Sequence, residues 1–103
     1  MQFLVFGYDG ADKEAPQRRQ TARQAHIEYG DKLRDNGKMR YAVALLDDDE
    51  QMAGSVVVYE VGSREELDGI LKDEPYMTGE VWLRTEVIPC QVGPSFANMK
   101  LVD

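Results

Sequence analysis

The fold this sequence predicts is an α+β sandwich: one antiparallel sheet of four strands with two helices packed on one of its faces. Three observations predict it. Four strand-patterned and two helix-patterned segments alternate in the order strand, helix, strand, strand, helix, strand. The first segment is apolar on both faces, as a central strand must be. The connections between segments are short, polar and rich in turn-forming residues.

Gln2 to Tyr8 reads as the first strand, with Phe3 and Val5 on one face and Leu4, Phe6 and Tyr8 on the other. Asp9 to Ala15 is a charged loop, and Pro16 suits the first turn of a helix that runs to about Asn36, where Gly37 offers a cap. Spacing places Ala22, Ala25, His26, Tyr29 and Leu33 along the inward stripe of that helix. Met39 to Leu46 alternates as a second strand, and the acidic stretch Asp47 to Gln51 turns the chain. Gly54 to Val61, rich in valine, returns antiparallel to it as a hairpin. Ser63-Arg64-Glu65-Glu66 is a capping box that opens a second helix, with Leu67, Ile70 and Leu71 buried behind it. That helix should end near Asp73, because Pro75 disfavours helical geometry at the residue before it. Glu80 to Ile88 is the fourth strand, and Pro89 belongs at its end or on a sheet edge.

This order is the split βαβ, or ferredoxin-like, pattern. Two helices cover one face of four strands. The other face, apolar on the first strand, then needs a second layer, which a two-fold dimer stacking sheet on sheet would supply. Arg84 and Glu86 would sit at the rim of that interface or pair across it. The expectation is a single domain over residues 1–103, with its core at 2–89 and a tail at 93–103 that docks on its own domain or on the partner.

Composition narrows the function classes. Nineteen acidic against twelve basic residues give a net charge of −7, the wrong sign for nucleic acid or an anionic membrane. No apolar run approaches the length of a membrane span, and the start lacks the features of a secretory signal, so a cytoplasmic location is expected. The single cysteine, Cys90, excludes an intrachain disulfide and fits a reducing compartment. One His and one Cys make no zinc set, Asp47-Asp48-Asp49-Glu50 lacks the spacing of a calcium loop, and no cofactor is expected.

The chemistry concentrates on His26, the chain's only histidine. A neutral imidazole exchanges protons near pH 7, and a carboxylate on one ring nitrogen fixes the tautomer and raises the basicity of the other. The bland alternative is a core histidine bonded to a carbonyl. Carboxylates are available in Asp73-Glu74, although acidic turns at helix ends are common. Arg23 is a fork for an anionic substrate or a solvated helix residue. Tyr29, one turn from His26, either lines a pocket or packs. Tyr76 and Trp82 form an aromatic wall or simply core. Nothing positive stands next to Cys90 in sequence, so it reads as a quiet thiol.

Three motifs, Arg23-Gln24-Ala25-His26, Gly54-Ser55-Val56-Val57-Val58, and Asp73-Glu74-Pro75-Tyr76 followed by Gly79 and Glu80-Val81-Trp82, carry a resemblance. From Phe3 to about Pro89 the chain resembles the YciI-like (YCII-related) family of dimeric α+β barrel proteins. The resemblance implies a His on the first helix and an Asp before the Pro acting as a catalytic or ligand-binding dyad. By position these are His26 and Glu74, so a glutamate stands where the family has an aspartate, with Asp73 as a competing partner one residue earlier. Where relatives carry a Gly-Pro-like turn after the second strand, this chain has Ala44-Leu45-Leu46-Asp47. The expected function is therefore a small cofactor-independent homodimeric enzyme of lyase, isomerase or dehydrohalogenase type. Its His26 moves a proton on a small molecule, and Glu74 or Asp73 positions the ring. The alternatives are a noncatalytic ligand-binding or accessory module and, by fold analogy, a cofactor-free monooxygenase.

Overall fold

The computed structural model describes residues 1–97. Its order is β1 (Gln2–Asp9), α1 (Ala15–Asp35), β2 (Met39–Leu46), β3 (Met52–Glu60), α2 (Arg64–Asp73), α3 (Pro75–Thr78) and β4 (Trp82–Cys90), closed by a single 3-10 turn at Pro94–Phe96. The strands form one antiparallel sheet in the order β2-β3-β1-β4. This is the ferredoxin-like α+β fold. The doubly apolar β1 is central, and β4, with Pro89, is an edge strand.

The pleat sorts side chains into two layers. Phe3, Val5 and Gly7 pair with Tyr59, Val57 and Ser55 of β3, and all six are buried under the helices. Leu67 and Leu71 of α2, Tyr76 of α3, Val61, Val81 and Trp82 complete this core. Leu4, Phe6 and Tyr8 point to the opposite face beside Val58 and Val56. Among the described residues no helix covers that face. Tyr41, Val43 and Ile88 there are 59%, 44% and 43% exposed, and Arg84 lies over the Tyr8 ring at 4.0 Å while bonding Glu86.

Several local expectations shift. Ala25, expected on the buried stripe of α1, is exposed; the stripe runs through Ala15, Arg19, Ala22, His26, Tyr29 and Leu33, and Ala25 lies to one side of it. β4 begins at Trp82 and not at Glu80, because Glu80 is left-handed (φ 57°). It closes α3 as a Schellman turn, in which the Val81 amide donates to the Tyr76 carbonyl (2.9 Å) and the Glu80 amide to that of Met77 (3.2 Å). β3 starts two residues early, at Met52, and ends at Glu60. In α2 the Ser63 hydroxyl accepts from the Glu66 amide (3.1 Å), but the Glu66 carboxylate reaches past it to the Gly62 amide (3.0 Å).

The tail up to residue 97 lies against its own chain. The Val92 amide donates to the Gln2 side chain (2.6 Å), and Arg40 donates to the Ala97 carbonyl. Residues 98–103, including Met99 and Leu101, lie outside the described residues, so the expected docking of the tail on a partner falls partly there. Among the described residues no helix is long and apolar enough to cross a membrane.

Candidate functional site

Two features of the chain build the site. In α1, Arg19 and His26 are seven positions apart, which is two helical turns on one face. Between α2 and α3, the residue before Pro75 is forced out of helical geometry: Glu74 has φ −64° and ψ 125°. That extended residue ends one helix and caps the next. Its side chain is thereby turned inward, fully buried, and it accepts from the Tyr76 amide at 3.1 Å.

The same oxygen, Glu74 Oε1, is bonded to His26 Nδ1. An ionised carboxylate can only accept, so with Glu74 ionised and the imidazole neutral this contact puts the ring hydrogen on Nδ1 and leaves the lone pair on Nε2. The imidazole side chain keeps 21% of its exposure, whereas the carboxylate keeps none. One ring nitrogen is thus tied to a buried acid in a ring that still meets solvent. Asp73, the competing carboxylate, is exposed at the end of α2.

The imidazole is held by aromatic packing as well. Tyr76 stacks on it, with centroids 3.7 Å apart and planes 4° from parallel, and Trp82 meets both rings edge-on at 5.9 and 5.7 Å. The other neighbour of Tyr76 is Arg19, whose guanidinium lies 4.8 Å from the ring centroid. Arg19 is buried. It pairs with Asp9 (2.7 Å) and donates to the Gly54 carbonyl (2.9 Å), the Ser55 hydroxyl (3.2 Å) and the Tyr76 hydroxyl (3.4 Å). Ser55 also accepts from the Trp82 indole (3.3 Å). Burial raises the Tyr76 phenol above its ordinary value, against the pull of Arg19 and Arg23. Trp82 lies so close to β1 that a Cβ on Gly7 would stand 2.3 Å from the indole; only glycine admits the ring there.

His26 borders a groove of about 260 Å³ between the second half of α1 and β2. Its floor is Val57, Ala42 and Met39, and Ile27 and Gly30 line the helix side. Asp31, Arg34 and Arg40 stand at the mouth, where Arg34 pairs with Asp31 (3.3 Å) and Arg40 with Glu60 (3.2 Å). Small-molecule clefts start near ~300 Å³, and a closed cavity of ~150 Å³ holds benzene, so the space matches one substituted ring.

Of the residues singled out in the sequence, His26, Glu74, Tyr76 and Trp82 are brought together. Arg23 is exposed on α1. Tyr29 is half-buried and spends its hydroxyl on the Ile70 carbonyl (2.6 Å), a tie between α1 and α2. Burial raises the Cys90 thiol pKa, with Glu60 adding to it, in keeping with a quiet thiol. Sequence reasoning missed Arg19, Asp9 and Ser55. The spacing of Arg19 from His26 was a usable signal, since a residue on that stripe must face the core. Among the described residues no group of three or more His, Cys, Asp or Glu could hold a metal ion.

Known proteins share this architecture. The 5-chloro-2-hydroxyhydroquinone dehydrochlorinase TftG from Burkholderia phenoliruptrix AC1100, solved with 2,5-dihydroxybenzoquinone, superposes with a TM-score of 0.78 at 24% identity, covering 92% of this chain and 98% of that one. An antibiotic biosynthesis monooxygenase superposes at 0.54 with 13% identity, over 90% and 98% of the two chains. A Mycobacterium tuberculosis protein does so at 0.50 with 16% identity, over 90% and 96%. These likenesses establish the fold. No curated protein matches the sequence. The model of the YCII-related domain matches residues 1–91, and the chain belongs to that family.

Proposed function

We propose that this protein is a cofactor-independent enzyme that moves a proton on a small single-ring substrate, with His26 as the base and Glu74 as the group that orients it. The observation that carries this reading is the division of labour at the imidazole. Nδ1 is tied to a fully buried carboxylate while the ring borders an open groove. Nε2 then takes the proton from a ring hydroxyl or carbon, and the electron pair left behind forms a π bond as a leaving group departs with its own pair. Elimination of this kind needs no oxidant. The apolar floor and the groove size suit a hydroxylated aromatic or quinone-like ring, and the dehydrochlorinase of the same fold acts on such a compound.

A panel of halogenated and unhalogenated hydroxyquinols, phenols and lactones tests this, with halide release and ultraviolet absorbance as readouts. Wild-type protein should turn over at least one member, and His26→Gln, which keeps a polar side chain, should lose roughly 10²–10⁴-fold. Binding without turnover by both proteins would leave a ligand-binding module and end the enzyme reading.

The same reading includes a homodimer joined through the uncovered sheet face. Leu4, Phe6, Val56 and Val58 are half-buried there in the single chain, beside exposed Tyr41, Val43 and Ile88, and a stable partner interface needs about 800 Å² per chain. Light scattering should give twice the chain mass of 11.7 kDa. Phe6→Asp should give a monomer; a wild-type monomer at micromolar concentration would refute the interface.

A further inference from the structure

Two buried polar atoms in the core under the helices are left without a hydrogen-bond partner among the described residues: the Tyr59 hydroxyl and the second carboxylate oxygen of Glu74, Oε2. Tyr59 and Glu74 are both 0% exposed. Tyr59 lies two residues along β3 from Val57, on the same helix-facing side, and Val57 is the groove floor that His26 also borders. One atom is a donor and the other can only accept when ionised. A phenol and a carboxylate buried apart from any partner are each costly, and joining them through a shared water removes both costs.

We propose that Tyr59 is a positioning residue for the pair: its hydroxyl donates to one enclosed water that in turn donates to Glu74 Oε2, extending His26–Glu74 into a chain Tyr59–water–Glu74–His26. The carboxylate would then be gripped on both oxygens, Oε1 by His26 and the Tyr76 amide and Oε2 by the water that Tyr59 holds. It could not swing away from Nδ1. The Tyr59 phenol is raised well above its ordinary value, by burial first and then by the charge of Glu74, so it keeps its hydrogen to donate. Tyr29 contributes a smaller effect in the same direction. This inference rests on the reading of His26 and Glu74 as a working pair, but its test needs no substrate.

The chain has one histidine, so its ring hydrogens and nitrogens are unambiguous in NMR spectra. A carboxylate that loses a donor becomes a stronger acceptor. In Tyr59→Phe, which conserves shape, the Nδ1 proton of His26 should move downfield. Tm should fall by roughly 5 °C or more. Glu74→Gln should abolish the downfield resonance, and adding Tyr59→Phe to it should have little further effect on the ring. An Nδ1 resonance unmoved in Tyr59→Phe overturns the proposal whatever the stability, since a purely structural tyrosine changes Tm alone. Should that variant not fold, the Tyr59 hydroxyl proton of the unaltered protein decides. A slowly exchanging resonance displaced by Glu74→Gln supports the chain, and its absence or indifference refutes it. Loss of turnover in the substrate panel would bear on the enzyme reading and leave these spectra untouched.

Discussion

Replacing Arg19 by methionine should be among the most damaging single changes in this protein, although Arg19 lies outside the motifs that point to function. The guanidinium and the Asp9 carboxylate are 9% and 7% exposed. Methionine fills the space of the arginine stem but leaves Asp9 as an uncompensated buried charge, and it strips donors from Gly54, Ser55 and Tyr76. Breaking a buried pair from one side costs about 3–5 kcal/mol. In a domain near 100 residues each kcal/mol moves Tm by roughly 4–8 °C, so a fall of at least ~12 °C is expected. Removing the partner as well, in Arg19→Met with Asp9→Leu, should recover most of the loss, because no lone charge remains. Urea and thermal unfolding at one fixed protein concentration measure both. A single-variant loss below about 1 kcal/mol, or a double variant worse than the single one, would refute the claim that this pair is desolvated.

Gly7→Ala should cost about 1–3 kcal/mol by overpacking, because the new Cβ would stand 2.3 Å from the indole of Trp82; the chain's one tryptophan should report it as a fluorescence shift, and unchanged emission with unchanged Tm would contradict the packing. Ser63→Ala removes the side-chain cap on α2 and should cost about 1 kcal/mol in urea unfolding. The Arg18 hydrogen bonds hold Asp12 down at about 2, against the ordinary 3.8. The folded carboxyl is thus the stronger acid, so its contribution is present above about pH 4 and lost as pH falls toward 2, and Asp12→Asn should flatten that limb of the stability curve. Tyr59 has the opposite sign: its folded phenol sits above the unfolded value of 10.0, so stability falls as pH rises through 10, and Tyr59→Phe should remove part of that fall.

Much of the fold was legible because each element carried its own signal. β1 showed two apolar faces, β3 a run of valines, and α2 a capping box. The boundary of β4 was hidden, since Glu80 and Val81 alternate like strand residues while the left-handed backbone at Glu80 belongs to the turn closing α3. The candidate site was legible where proline chemistry and helix spacing coincide. Pro75 turns Glu74 inward, and the stripe of α1 turns His26 toward it. Arg19, Asp9 and Ser55 come from three separate elements, and no local pattern announces that they meet. Choosing between Asp73 and Glu74 likewise needed the backbone, because one residue along a chain leaving a helix separates a buried side chain from a solvated one.

The most direct test of the account is kcat/KM for Glu74→Gln beside Asp73→Asn, measured on whichever ring compound the wild-type protein turns over best. Glutamine keeps the size of the side chain and loses its charge, so turnover should fall by roughly 10²-fold or more while Asp73→Asn stays near wild type. Equal rates for all three folded proteins would contradict a buried glutamate that sets the histidine to work.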